Sequence, residues 1–251
     1  MGPAVPSAAS ATFLSANAVS PAEPGPSRRD RIVDALMALA AEQPFGEISM
    51  SAVAQRAGVS LADFRDLFPS KGAVIGAFSR RIDRIVLEGA TADLADESDK
   101  ERLFDVLMRR IDAMAPYRPA LASIAEWAKR DPFAAAALNG MALNSMRFMI
   151  EAAGLNAEGP LGPLKLQGLV VLWTRTMAVW LGDDEEGCPA TMAELDRGLQ
   201  RGQTLIARAD DLGRLAAPLT HAADLLRESG QRWRARAARR THDAAAPDPD
   251  R

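Results

Sequence analysis

Two short runs of apolar residues at helical spacing flank Gly58, and no other feature restricts the fold of this chain so tightly. The stretch reads Ile48-Ser-Met-Ser-Ala-Val-Ala-Gln-Arg-Ala-Gly58-Val-Ser-Leu-Ala-Asp-Phe-Arg-Asp-Leu-Phe68-Pro-Ser-Lys71. Ser49 or Ser51 caps a short helix with Val53, Ala54 and Ala57 on its inner face. Gly58 supplies the positive φ that an abrupt turn needs, and Val59 plugs the angle from inside. Ser60 caps a following helix that holds Phe64, Leu67 and Phe68 and stops at Pro69. Helices joined by so short a turn must cross steeply. That predicts a helix-turn-helix whose second member turns its N-terminal end toward a groove.

The chain around this motif reads as helical throughout. Upstream, Ile32, Val33, Leu36, Leu39 and Ala40 recur at helical spacing until Pro44 and Gly46. Downstream, Lys71–Gly72 opens a long helix with Val74, Phe78, Ile82 and Ile85 on one stripe. Leu103, Leu107, Ile111 and Met114 mark the next helix, broken at Pro116 and Pro119, and Leu121, Ile124 and Ala128 resume it. Asp131 before Pro132 is a helix start, an N-cap followed by proline at the first helical position. The helix it opens carries Leu138, Met141, Ser145 and Met149 and ends at Gly154. Residues 164–181 are apolar on nearly every face, as in a helix covered on most sides. After the acidic loop Asp183–Glu186, Thr191 and Glu194 form a capping box ahead of Leu195, Leu199 and Ile206.

The expected fold class is all-α: a three-helix N-terminal helix-turn-helix headpiece (residues 28–87) followed by a C-terminal helical bundle (residues 88–211). Residues 1–27, rich in Ala, Ser and Pro, read as a disordered leader. Residues 212–251 read as a polar tail, with five arginines between 232 and 240.

Charge and residue usage narrow the function. Residues 28–87 carry nine basic and seven acidic side chains, whereas residues 88–211 carry thirteen and twenty. A weakly basic headpiece on an acidic body suits a protein that offers one end to a polyanion. The single Cys188 excludes an internal disulfide and a cysteine zinc cluster, and both histidines fall in the last thirty-one residues. No nucleophile, base and orienting group come together, so neither an enzyme, a cofactor nor a metal is expected. No run approaches the ~18 apolar residues of a membrane span. The first 27 residues lack the Lys or Arg of a secretory signal, which points to the cytoplasm.

The motif resembles the TetR family of transcriptional regulators, whose headpiece runs as IA-x-x-AGVS followed by F-P-S-K. Val53–Ala54, Ala57–Ser60 and Phe68–Lys71 carry the likeness. It implies that the third helix reads the major groove of an operator and that Lys71 meets the DNA backbone. It also implies a body that binds a small ligand and pairs as a homodimer. The sequence departs from the family in placing Arg65 where a tyrosine is usual and Leu67 where histidine or tyrosine is usual. Asp63 and Asp66 add negative charge to the same helix. Either Arg65 takes over the tyrosine's contact or the headpiece is scaffold alone. A second, patchier resemblance, over residues 107–124 and 173–199, is to the lipid-binding accessory family of ubiquinone biosynthesis, which has a TetR-like fold. It implies an alternative function as a lipid- or isoprenoid-binding accessory protein of quinone metabolism.

Three sets of candidate residues follow. Arg28, Arg29, Arg31, Ser49, Ser51, Ser60, Leu61, Asp63, Arg65 and Lys71 are expected to face double-stranded DNA. Met114, Tyr117, Trp127, Met146, Met149, Trp173 and Met177 supply the flexible thioethers and broad rings that suit a small apolar effector, a lipid or isoprenoid among them. Arg147 and Arg175, set in apolar helices, suit an anionic ligand head. Val179, Trp180, Leu195, Leu199 and Ile206 are expected at the homodimer interface.

Overall fold

A computed structural model describes residues 25–89, 96–158 and 161–205. Among these residues all regular structure is helical. Ser27 accepts a hydrogen bond from the Asp30 N–H and starts α1 (Arg28–Glu42), so this serine belongs to the headpiece and not to the leader. A 3-10 turn (Phe45–Glu47) follows, then α2 (Met50–Arg56), α3 (Leu61–Leu67) and α4 (Lys71–Glu88). The apolar stripe of α1 (Ile32, Val33, Leu36, Leu39, Ala40) meets Val53 and Ala54 of α2 and Phe64 of α3, forming the headpiece core. On α4 the inward residue of the last turn is Val86, while Ile85 is half exposed. At 3.6 residues per turn, the third and fourth residues on from Ile82 fit the stripe equally well.

The body comprises α5 (Asp99–Met114), a 3-10 turn (Ala115–Tyr117), α6 (Arg118–Arg130), α7 (Pro132–Ala152), α8 (Gly162–Trp180) and α9, which begins at residue 189 and continues to residue 205. Ser98 and Glu101 cap α5 reciprocally, and the Asp131 carboxylate accepts from the N–H groups of Phe133 and Ala134 at 2.9 and 3.2 Å. The capping box expected at Thr191 and Glu194 does not form. Thr191 instead donates its N–H and hydroxyl to Asp183, at 2.8 and 2.7 Å, so the start of α9 is satisfied from the preceding loop. Arg118 of α6 ties that loop down by donating to the carbonyls of Trp180 and Asp183.

Two joints hold headpiece and body together. Helix α4 runs from one into the other and packs on α5 and α7. There Asp83 and Arg110 form a buried ion pair, and Ser145 of α7 donates to the same carboxylate at 2.5 Å. The second joint is α6 against α1. The Ser123 hydroxyl accepts from the Phe45 N–H at 2.9 Å and donates to the Gln43 carbonyl at 3.2 Å. Trp127 lies against the Phe45 ring, with centroids 4.8 Å apart.

Candidate nucleic-acid interface and ligand cavity

The headpiece positions α3 by local chemistry. Gly58 sits at φ 63°, in the left-handed region where a side chain is strained, and this turns the chain between α2 and α3. Ser60 then caps α3. Its hydroxyl accepts from the Asp63 N–H at 3.0 Å, and the Asp63 carboxylate reaches back to the Ser60 N–H and hydroxyl. Hydrogen bonds from Ser60, aided by the charge of Arg28 at 3.1 Å, hold the Asp63 carboxyl below the usual carboxylate range. Asp63 is thus committed to holding the helix start. Both its oxygens have partners within the headpiece, Ser60 on one and Arg28 on the other.

With Phe64 buried and Phe68 beneath it, the outer face of α3 presents Leu61, Ala62, Arg65 and Asp66, all exposed. Leu61 and Arg65 were expected there. Asp66, whose negative charge the sequence already set on this helix, lies on the same face, and so does Ala62, which the sequence reading missed although its i, i+4 spacing to Asp66 marks it. Ser49 caps α2 through the Ala52 N–H, and Ser51 and Met50 stand exposed beside it.

The basic residues are less free than their count suggests. Arg29 stacks on Phe68 and donates to the Leu67 carbonyl, and Arg31 donates to the carbonyls of Ala57 and Pro26. Each guanidinium keeps unused donors, since arginine carries five. Lys71 departs further from expectation. Its ammonium turns inward over the Phe45 ring and donates to the carbonyls of Phe45 and Ile48, at 3.0 and 2.5 Å. Partial burial pulls its pKa below the ordinary lysine value. Here it closes the turn between the 3-10 segment and α2, because the Ile48 carbonyl and the Phe45 carbonyl, which also accepts from the Ile48 N–H, lie within its reach.

The seven residues expected to line a ligand pocket are placed within the helical packing. Met114, Met146, Met149 and Trp173 are buried and packed. Tyr117 meets Phe78 edge-on, Trp127 covers Phe45, and Met177 packs against the core. A cavity of about 1000 Å³ lies instead between the start of α5, the α7–α8 loop, α8 and α9, and none of the seven borders it. Arg175 does border it, whereas Arg147 does not.

The expected dimer residues are also redistributed. Trp180, Leu195 and Leu199 are buried within the chain itself, and Ile206 lies outside the described residues. Val179 is half-buried. The exposed apolar side chains of α8 and α9 are Leu164, Val171, Met192 and Leu205. Periodicity located both apolar stripes, and of their residues Trp180, Leu195 and Leu199 are covered by the chain's own packing.

The described residues thus form a helix-turn-helix headpiece seated on an all-helical body. Residues 32–78 match the family model described as bacterial regulatory proteins, tetR family. Among solved structures, the chain is similar to a TetR transcriptional regulator from Nitrosomonas europaea ATCC 19718, with 24% identity and a TM-score of 0.55. That likeness covers 70% of this chain and 97% of the other. It is similar also to a TetR transcriptional regulator from Rhodococcus sp. RHA1, at 23% identity and TM-score 0.51, covering 70% and 94%. No curated protein sequence matches the chain. The headpiece is that of the TetR family of transcriptional regulators, and the all-helical fold is the one these regulators share.

Proposed function

We propose that this chain is a cytoplasmic repressor that binds operator DNA as a homodimer and releases it when a small, mostly apolar effector occupies the body. The observation that carries the reading is the outer face of α3, a short helix capped at its start, anchored by Phe64 and exposing Leu61, Ala62, Arg65 and Asp66. A major groove accommodates such a helix. Arg65, its only basic residue, suits the paired acceptors of a guanine edge. Two headpieces on a twofold axis would meet half-sites about 34–36 Å apart. The effector acts by changing that spacing through α4 and the α6–α1 joint, which connect body to headpiece.

The test is fluorescence anisotropy with duplexes from the region upstream of the chain's own gene, across a salt series. For ~6 neutralised phosphates per dimer, log K falls with log[salt] at a slope near −5. Arg65→Ala costs about 1–3 kcal/mol per half-site and relaxes the base preference there, with the slope little changed. Lys71→Met weakens the headpiece but leaves the slope unchanged. An affinity for the upstream duplex no better than for random DNA at low salt rejects the regulator reading and leaves the lipid-binding accessory alternative.

A further inference from the structure

The cavity between α5, α8 and α9 has three properties that together define a ligand class. First, its apolar wall is aliphatic: among the described residues, eleven Leu, Ile, Val and Ala side chains line it and no aromatic ring does. Such a wall accommodates a flexible hydrocarbon chain and offers a planar ring nothing to stack on.

Second, its charge is opposite to that of the body around it. Among the described residues, Lys100, Lys165, Arg175 and Arg201 border the cavity against only Asp99 and Glu194, in a segment where acidic residues outnumber basic ones twenty to thirteen. Lys100 pairs with Asp196 at 2.5 Å, Asp99 with Arg102 at 2.7 Å and Glu194 with Arg197 at 3.3 Å. Lys165, Arg175 and Arg201 have no such partner among the described residues.

Third, Gly168 of α8 and Gly202 of α9 border the cavity, and a Cβ at either position would meet nothing within 4 Å. Glycine weakens a helix interior, and neither position needs it for packing within the chain. Gly198 is different, since a Cβ there would strike Leu172. The two open glycines keep the space between the helices empty.

We infer that this cleft binds a single-chain aliphatic molecule with an anionic head, of the free fatty acid kind, the chain lying along Leu169, Leu172 and Leu199 and the head held by Lys165, Arg175 or Arg201. A second copy of the protein is a poorer occupant. A twofold contact would bring the same net-positive lining against itself. The assignment names the effector class of the proposed regulator and rests on that reading for its role, but binding is measured without DNA.

The experiment is calorimetric titration of the full chain with octanoate, decanoate, dodecanoate and dodecanol. Affinity rises roughly fourfold per added methylene until the cleft is full. Dodecanol binds at least tenfold more weakly than dodecanoate. One or more of Lys165→Gln, Arg175→Gln and Arg201→Gln abolishes that difference while leaving the dependence on chain length intact. Gly168→Leu and Gly202→Leu fill the cleft, raise or preserve thermal stability, and lose binding. Absence of binding by the wild type, equal affinity for acid and alcohol, or binding retained in both filled variants overturns the assignment. So does light scattering in which Gly168→Leu turns a wild-type dimer into monomers, which gives the cleft to a second copy. Operator binding on the same preparation is scored separately, so failure of the regulator reading is distinguishable from failure of the ligand site.

Discussion

Neutralising Asp83 tests how α4 is locked to the body. Asp83 and Arg110 are both nearly inaccessible, and Ser145 donates to the carboxylate while Arg110 also donates to Ser79 at 3.3 Å. Burial pulls the pKa of the Arg110 guanidinium down and the Asp83 charge opposes that, so the arginine stays charged and depends on its partner. Asp83→Asn removes the countercharge and leaves the cation buried, a change that costs about 3–5 kcal/mol in comparable sites. Two local features reduce this. A cavity of about 290 Å³ borders Asp83 and gives water a place beside the pair, and the Trp173 ring lies 5.5 Å from the guanidinium carbon. The expected loss is therefore near the lower end, about 3 kcal/mol, which in a chain of this size lowers Tm by roughly 6–12 °C. Urea unfolding monitored by circular dichroism measures it. The double variant Asp83→Leu with Arg110→Met removes both charges and should recover most of the loss, because the desolvation penalty disappears with the pair. A loss under about 1 kcal/mol for Asp83→Asn, or a double variant no better than the single, refutes the account of a buried, mutually dependent pair.

Gly58→Val strains the left-handed turn by about 1–3 kcal/mol, and Gly58→Asn costs less because asparagine tolerates that region. Equal stability of the Val and Asn variants in thermal melts refutes the φ argument, since a Cβ there meets no atom. Asp183 is held below its usual pKa by the Thr191 hydroxyl, then by backbone N–H groups and the charge of Arg118. Its contribution is complete above the unfolded value near ~4 and fades as pH falls through the lower folded value. Asp183→Asn should therefore melt earlier than wild type at pH 7, with the gap closing below about pH 3–4; a gap that widens in acid contradicts this. Val179→Glu places charge on the half-buried end of α8 and should yield monomers that lose operator binding while the headpiece stays folded. Light scattering decides it, and a wild-type monomer at micromolar concentration removes this surface from the dimer.

The turn at Gly58, the caps at Ser60 and Asp131, the stop at Pro69 and the breaks near Pro116 and Pro119 were all legible in the sequence. Each is decided within three or four residues, where a side-chain oxygen, a missing N–H or a permitted φ acts on its own segment. The outward face of α3 was legible for the same reason, since Phe64 in the core dictates where Leu61 and Arg65 must point. The partners of each face came only with the tertiary structure. Lys71 found carbonyls 23 and 26 residues away, and Thr191 found Asp183 in place of Glu194. Trp180, Leu195 and Leu199 turned to their own chain, and the Met and Trp set became packing while the cavity opened among aliphatic residues and three glycines. Periodicity tells which side of a helix is apolar. It does not tell whether that side meets its own core, a ligand or a second copy, because removal from water is equally favourable against all three and only the arrangement of the other helices selects among them.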